Sequence, residues 1–200
     1  MVMDFDFTLL GEVPAPKSFM VRREFRGVGS FKLTVQRDAG GLLARDRVIY
    51  RPDRPEQGWI IHRVSRSGDT LTVDGTPLKG LAKRRICLPP LITGGAYNQF
   101  GYDLFTGDAE SAYLHFAANN LTAPEDAARA IPRLVLDTNL HRGPELPWQA
   151  RFEKLSDLFE DIGAATEVGW DIRPDFGAKR YVFGAWAGVD RTTGTGRCAL

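Results

Sequence analysis

A chain of 200 residues with 43% hydrophobic content is long enough to bury one full core or two small ones, and it is too apolar to be wholly disordered. Its 26 Lys and Arg and 25 Asp and Glu give a formal net charge of +1, which excludes a protein that binds nucleic acid or acidic membranes through its overall charge. Two cysteines and three histidines form no metal-ligand spacing, so we expect free thiols at Cys87 and Cys198 in a reducing cytoplasm, and no cofactor.

The chain begins with MVMDFDFTLLGEV, which carries acidic residues inside its first apolar stretch and has no basic segment before it. This pattern is not that of a signal peptide. No apolar run reaches the roughly 18–20 residues that a membrane span requires, so we expect a soluble protein without membrane insertion.

Up to about residue 90 the hydrophobic period is mostly two. Strict alternation predicts that Phe31, Leu33 and Val35 lie on the inner face of a half-buried strand. Further strand signals lie at 4–9, 18–25, 46–51, 58–65 and 70–73, with Gly- and Pro-rich turns between them. Residues 1–92 are therefore predicted to form an antiparallel β-barrel-like domain.

The segment TLTVDGTPLKGLAKRRI (70–86) predicts the end of that domain. We expect Gly75 in a turn, Pro77 at the start of a short helix, and Leu78 and Leu81 on its inner side. The helix would point Lys79, Lys83 and Arg84 to solvent, and a brief strand within RRICLPPLITGG would follow. The cluster Lys83-Arg84-Arg85 indicates a solvated face or a contact with a neighbouring subunit, because a nearly uncharged protein gains little from so small a nucleic-acid patch.

The rest of the chain predicts a mixed helix and strand domain over 108–200, after a loop or arm at 93–107. Asp108 is expected to cap a helix that runs to about Leu121, and 134–136 to form a short strand. A second helix is expected over 148–164, ending at Gly163, with this buried stripe: Phe152, Leu155, Leu158, Phe159 and Ile162. Two strands in VGWDIRP and KRYVFGAWAGVD should form a hairpin against it. The predicted fold class is thus α+β and β-rich.

Candidate catalytic groups are few. Three acidic pairs could in principle serve a hydrolase: Asp4/Asp6, Asp103/Asp108 and Glu160/Asp161. The last pair falls on the solvent face of the second helix, and nothing in the sequence gathers the others beside a partner. His62, His115 and His141 have no nucleophile motif or second metal ligand near them, and phosphate-binding glycine motifs are absent. We therefore expect no enzymatic activity.

The order of motifs along nearly the whole chain resembles the siphophage tail-tip proteins of the baseplate-hub type. The matching pieces are SFMVRREFRGVGSFKLTV, RVIYRPDRPEQGWIIHRVSRSGDTLTVDGTPLKGLAKRRICLPP, AESAYLHFAANNL, RAIPRLVL, RFEKLSDLFEDIGAATEVGWDI and YVFGAWAGVDRT. By position, Gly75, Leu78, Leu81 and Arg85 match the family's turn–helix element. Gly188, Asp190 and Arg191 match its closing G-x-D-R-T motif.

This resemblance implies a structural subunit of the virion. Such hubs form a ring, typically a homotrimer, at the distal end of the tail. They join the tail tube, the distal tail protein and the tape measure to the spike or receptor-binding protein, and DNA crosses the ring only in transit. Assembly in the host cytoplasm is implied as well. Family members usually continue beyond the closing motif, so this chain is expected to be a shortened member or to end inside a domain.

The surface expected to contact neighbouring tail subunits contains Lys83, Arg84, Tyr97, Phe100, Tyr102 and Phe105. Two alternatives stay open. One is a tail-associated hydrolase of cell wall or glycan, which needs two carboxylates or a metal triad in a cleft. The other is a carbohydrate-binding tail module that stacks sugars on Trp59 and on the aromatic residues of 97–105.

Overall fold

The computed structural model describes residues 1–13, 16–36, 41–91 and 100–188. In these ranges it contains twelve β-strands and two α-helices. The strands are β1 (Val2–Met3), β2 (Leu9–Gly11), β3 (Ser18–Arg22), β4 (Ser30–Gln36), β5 (Val48–Arg51), β6 (Arg54–Ser67), β7 (Thr70–Pro77), β8 (Asp103–Asp108), β9 (Leu134–Leu136), β10 (Glu145–Ala150), β11 (Val168–Asp175) and β12 (Arg180–Ala187). The helices are α1 (Ala109–Ala117) and α2 (Leu155–Thr166).

Strands β1 to β7 form one curled antiparallel sheet in the order β2-β1-β5-β6-β7-β4-β3. The predicted strands in 18–25, 46–51, 58–65 and 70–73 are confirmed, although β6 and β7 are longer than expected. The strand predicted at 4–9 is wrong. The chain turns there, and the Asp4 N–H donates to the Thr8 carbonyl at 2.9 Å.

Strands β1, β5 and β6 of the curled sheet carry residues that are buried on both faces. The alternation predicted for β4 is confirmed, because Phe31, Leu33 and Val35 lie in the interior of the curl. In β6 the three consecutive residues 59–61 are all buried, since one face lines the curl and the other packs against the rest of the chain. Continuous apolar runs are typical of strands covered on both sides.

Gly75 lies inside β7, so its predicted place in a turn is wrong. It pairs with Phe31 on one side and with Ile61 on the other. A Cβ atom at this position would lie 2.1 Å from the Ile60 carbonyl oxygen and 2.4 Å from the Phe31 ring. The close approach of neighbouring strands therefore requires glycine here.

A 3₁₀ helix, Leu78–Arg84, follows Pro77 as predicted. Leu78 and Leu81 are buried, also as predicted. The strand expected after Arg85 is wrong, because Ile86 makes only an isolated bridge with Lys154.

Strand β8 corrects the loop predicted for 93–107. It pairs with β10 over six residue pairs, from Asp103↔Ala150 to Asp108↔Glu145. Residues 92–99 lie outside the described part of the chain. The Asp108 carboxylate caps α1 as predicted, since it accepts a bond from the Ser111 N–H at 2.8 Å.

Helix α2 begins seven residues later than predicted. Trp148 lies in β10, and Phe152 is 44% exposed with a left-handed φ of 58°, so it does not belong to the buried stripe. The stripe members 155, 158, 159 and 162 are buried as expected. Gly163 lies within the helix instead of ending it, and the left-handed residue Glu167 follows the last turn.

The predicted hairpin is confirmed as β11 and β12, and β9 pairs parallel to β12. This small sheet and both α-helices share one core with the outer face of the curled sheet, against which β11 packs at β6. Side-chain bonds also cross between the halves. For example, Tyr181 Oη donates to the Phe5 carbonyl at 3.1 Å, and Trp170 Nε1 donates to the Arg26 carbonyl at 2.7 Å. A domain boundary at 93–107 stays a prediction. Neither α-helix in the described ranges is long and apolar enough to cross a membrane.

Candidate functional site

The motif residues serve the shared core more than any open site. Leu78 and Leu81 are buried in it, and Gly75 lies beside it in β7. Arg85 is half-buried, and its Nε donates to the Arg129 carbonyl at 2.8 Å. Gly188 follows β12, whereas Asp190 and Arg191 lie outside the described residues.

The basic cluster is only partly available to a partner. Arg84 is paired with Asp46 at 2.6 Å, and the Arg85 guanidinium is used within the chain. Lys83 is exposed, and no ion pair involves it among the described residues. The cluster therefore presents one lysine and one paired arginine to solvent, which is a weak electrostatic surface.

A second surface, here called the aromatic patch, lies beside the β8–β10 pair and is formed by Phe100, Tyr102, Leu104, Arg151 and Phe152. Its apolar members are between 43% and 69% exposed. The Arg151 guanidinium lies over the rings of Tyr102 and Phe152, at 5.8 and 5.4 Å from their centroids. The patch combines exposed aromatic rings with an arginine, as the centres of protein interfaces do.

The other predicted aromatic residues do not join this patch. Trp59 is buried inside the curled sheet against Phe19, so the sugar platform predicted around it is wrong. Phe105 is half-buried and stacks on His115 with 4.7 Å between ring centroids. Tyr97 lies outside the described residues.

The histidines take structural positions. His62 contacts the Thr76 hydroxyl at 2.9 Å, and His115 Nε2 lies 2.8 Å from the buried carboxylate of Asp103. In a nucleophilic triad the carboxylate and the hydroxyl bind opposite ring nitrogens of the histidine. Here Asp108 and Ser111 both approach Nδ1 of His141, at 3.0 and 3.4 Å.

The carboxylate of Asp108 is held by its neighbours as a helix cap. Burial alone would raise its pKa, but bonds from Ser111 and His141 outweigh this effect and keep the pKa below its usual value. Glu160 and Asp161 lie on the exposed side of α2, as predicted. Among the described residues, no three His, Cys, Asp or Glu side chains lie close enough to hold a metal ion.

Lys79 corrects the prediction that it faces solvent, because it is only 4% exposed. Its ammonium group donates to the carbonyls of Glu24 (3.0 Å) and Phe25 (3.2 Å) and lies 4.5 Å from the centroid of the Trp170 ring. Burial lowers the pKa of Lys79 to about 8. Together with the bond from Trp170 to the Arg26 carbonyl, these contacts fix three consecutive carbonyls of the loop between β3 and β4.

This loop, the 3₁₀ helix and the β11–β12 hairpin enclose a cleft of about 320 Å³. We call it the Lys79 cleft, and its principal residues are Arg23, Phe25, Lys79, Asp171 and Trp186. Burial raises the pKa of Asp171, and the nearby Lys79 charge opposes that rise. The exposed Phe25 ring meets the Trp186 ring edge to face, with 6.1 Å between centroids.

Sequence patterns do not reveal this cleft. Its residues come from four separate segments, and in the 3₁₀ helix residues 78–82 are all buried, so no amphipathic period singles out Lys79. The one available signal is the single charged residue within the otherwise apolar run LKGLA. Asp171 and Trp186 lie in strands whose pattern indicated only a hairpin.

Comparison of the fold with solved structures gives phage tail proteins. The prophage tail protein gp18 from Listeria monocytogenes EGD-e superimposes with a TM-score of 0.56 and 11% identity over 91% of this chain and 49% of that one. The tail protein from Neisseria meningitidis MC58 gives 0.46 and 16%, over 88% and 47%. The E. coli c3393 protein, a component of the type VI secretion system, gives 0.45 and 10%, over 84% and 44%.

The chain thus spans about half the length of these structures. At 11% identity, the likeness to gp18 shows a shared fold, which confirms the predicted phage tail-like, β-rich architecture. No curated protein sequence matches the chain. The family model described as "Siphovirus ReqiPepy6 Gp37-like protein" matches residues 1–198, so the chain belongs to this family of siphovirus tail proteins and is a component of a phage tail.

Proposed function

We propose that this tail component is a baseplate-hub-type subunit at the tip of a siphovirus-like tail. It forms a homotrimeric ring, assembled in the host cytoplasm, that lines the DNA ejection path in the virion. The ring connects the tail tube, with its distal tail protein and tape measure, to the spike or receptor-binding protein. Family membership over residues 1–198 is the observation that carries the proposal. The protein acts through assembly and has no catalytic role.

The aromatic patch is the surface that best suits contact between subunits. Tyr102 and Phe152 expose rings that flank the Arg151 guanidinium, and Leu104 is 69% exposed on β8. Burying such rings and an arginine together is the usual basis of strong interface contacts. Lys83 and Arg84 would lie toward the polar rim, where an ion pair adds little binding energy.

The first experiment is light scattering over a wide range of protein concentration. A hub subunit is expected to approach three times its monomer mass of 22.2 kDa as concentration rises. Leu104→Asp places a charge in the patch without disturbing the core and should keep the protein monomeric. Met20→Asp is the matched control, because Met20 is 58% exposed on the edge strand β3.

A protein that stays monomeric at every concentration would contradict the trimer. If Met20→Asp prevents association and Leu104→Asp does not, the trimer stands but the aromatic patch is not its contact. A cell-wall turbidity assay on the same protein tests the hydrolase alternative, and clearing of the suspension would contradict a purely structural role.

A further inference from the structure

The Lys79 cleft has a rigid wall. Lys79 and Trp170 together hold the carbonyls of Glu24, Phe25 and Arg26, so the loop that carries Phe25 cannot move without breaking three partly buried hydrogen bonds. Order of this kind reduces the entropy that a ligand would otherwise have to remove on binding. The structure therefore holds the cleft ready for a ligand.

The Phe25 ring lies directly on glycine backbone. A Cβ at Gly169 would lie 2.4–2.8 Å from three of its ring atoms, and a Cβ at Gly188 would lie 3.3 Å from one of the same three, Cζ. The two glycines thus allow an aromatic ring to lie flat on β11 and the end of β12 while 39% of Phe25 stays exposed. Trp186 extends this surface, so the cleft has an aromatic wall of fixed geometry.

The polar groups of the cleft carry charges of both signs. Lys79 and Arg23 are cationic, whereas Asp171 and Glu24 are anionic. Lys79 uses two of its three N–H groups in the bonds to the loop, which leaves a third. Among the described residues, Asp171 has one bond, to its Oδ1 from the Ile172 N–H, and Arg23 has none. The Glu24 carboxylate is paired at 3.0 Å with Arg22, which lies outside the cleft, so the cleft offers donors from Lys79 and Arg23 and an acceptor in Asp171.

We propose that the Lys79 cleft binds a neutral saccharide. A sugar hydroxyl both donates and accepts, so it can satisfy Lys79 or Arg23 on one side and Asp171 on the other. The C–H groups on one side of a pyranose ring carry slight positive charge and suit the negative faces of Phe25 and Trp186. The volume of about 320 Å³ lies at the lower end of the range for small-ligand sites, about 300–1,000 Å³, and is suited to one sugar unit at the end of a chain.

Other ligand classes fit the cleft less well. A phosphate or another anion would meet the Asp171 carboxylate, which has no basic partner within salt-bridge distance among the described residues, and a cation would meet Lys79 and Arg23. A protein segment also carries donors and acceptors, so contact with a protein is the competing occupant that the experiment below distinguishes. The saccharide binding proposed here does not depend on the trimer or on the aromatic patch.

The experiment is saturation-transfer NMR on the full chain with glucose, galactose, rhamnose and N-acetylglucosamine as probes. At least one sugar is expected to receive saturation, strongest at the ring C–H groups, with millimolar affinity. Trp186→Ala should abolish the signal. Arg23→Gln changes an exposed side chain and should weaken binding about tenfold, or about 1.4 kcal/mol.

Tyr102→Ala is the matched control, because it removes an exposed ring outside the cleft. Circular dichroism and thermal unfolding confirm that each variant is folded. The proposal is overturned if no sugar receives saturation, if the signal survives in Trp186→Ala, or if Tyr102→Ala abolishes it. It is also overturned if Trp186→Ala prevents self-association while no sugar binds, because the cleft would then be a protein contact. Light scattering of the wild type tests the trimer independently.

Discussion

The two hydrophobic cores of the molecule differ in how the chain supplies them. The core inside the curled sheet comes entirely from the first 73 residues, through the alternating residues of neighbouring strands. The shared core takes residues from Met3 to Ala185 and includes both α-helices and the β11–β12 hairpin. The outer face of the sheet is thus apolar at Met3, Val48 and Ile60, whereas the outward residues of β4 are polar and mostly exposed. A β-barrel that looks independent in the sequence has its second face completed by the other half.

This difference predicts one cooperative unit. Removing the second half would expose the apolar outer face of the sheet around Val48 and Ile60, which are 0% and 1% exposed. Exposed apolar patches of that kind favour aggregation over a stable isolated domain. We therefore expect changes in either core to unfold the whole chain together.

The largest effect is expected for Phe159→Ala in the shared core. Phe159 is fully buried in α2 and packs on Tyr113, Trp170 and Phe183 with ring centroids 4.8–5.3 Å apart. Its loss should reduce the free energy of unfolding by about 3–5 kcal/mol. Urea unfolding followed by circular dichroism and by tryptophan fluorescence measures the change.

Leu33→Ala is the matching change in the core of the curled sheet, and about 2–5 kcal/mol is expected. Both variants should unfold in one transition that is the same by either probe. Phe152→Ala changes an exposed ring just before α2, so its effect should stay within about 0.5 kcal/mol. Two separate transitions in either core variant would show that the cores unfold independently.

Gly75→Ala tests the contact between the sheet strands beside the two cores. Its Cβ would lie 2.1 Å from the Ile60 carbonyl oxygen, so β6 or β7 must shift, at about 1–3 kcal/mol. Gly101→Ala is the control, because no atom lies within 4 Å of its Cβ position. Thermal unfolding compares the two variants. Equal stability in both would contradict the close approach of the Ile60 carbonyl to Gly75.

The same residues show what the sequence could and could not predict. The alternation of apolar and polar residues correctly predicts that Phe31, Leu33 and Val35 face the interior, because that pattern depends only on the strand itself. Gly75 was misplaced because its role depends on the Ile60 backbone of another strand. Phe152 matches a helical spacing. However, the preceding segment forms β10 and pairs with β8, more than 40 residues earlier, so the helix begins only after Phe152. Helix period alone cannot detect a distant strand partner.

The candidate sites were even less accessible from the sequence. Phe100 and Tyr102 are predicted from the sequence to contact neighbouring subunits; both are exposed, and the contact stays a prediction. The sequence predicts that Lys79 is exposed, because lysine side chains usually are. No residue near it in the sequence accepts a hydrogen bond from its ammonium group. Its partners are the carbonyls of Glu24 and Phe25, some 55 residues away. A polar contact between residues so far apart does not change the hydrophobic periodicity of either segment.

Lys79→Met tests how the loop at 23–28 depends on its buried donor. The variant leaves two carbonyls without their donor, so at pH 7 it should be less stable than the wild type by about 1–3 kcal/mol. Lys83→Met, on the exposed side of the same helix, should be nearly neutral. Thermal unfolding measures both, and an unchanged melting temperature in Lys79→Met would contradict the role of the lysine as a clamp.

The same variant gives a pH dependence with a defined sign. Burial lowers the pKa of Lys79 from 10.5 to about 8, so between these values the unfolded chain binds this proton more tightly than the folded chain. The stability of the wild type relative to Lys79→Met should therefore rise as the pH increases from 8 to 10.5. Urea midpoints at several pH values measure it, and a constant or falling difference would contradict the burial of the ammonium group.

Labelling of Cys87 compares the two cores without changing either of them, so it should not alter the stability of the folded chain. This thiol is fully buried in the shared core, and burial raises its pKa to about 12. The thiolate is the reactive form, so iodoacetamide should label it only when the core opens. In a Cys198→Ser background, labelling at pH 8 should be more than about a hundredfold slower than in urea, which corresponds to an opening free energy of about 3 kcal/mol.

The labelling rate then distinguishes unfolding of the whole chain from opening of the shared core alone. If Cys87 is exposed only when the whole chain unfolds, the labelling rate follows the equilibrium constant for unfolding. Leu33→Ala, in the other core, should then accelerate labelling by the same factor by which it raises that constant. Phe159→Ala should accelerate it by the same rule. Acceleration by Phe159→Ala alone would mean that the shared core opens while the curled sheet stays closed. The second half would then be able to detach from the sheet, and the one cooperative unit inferred from the packing would be wrong.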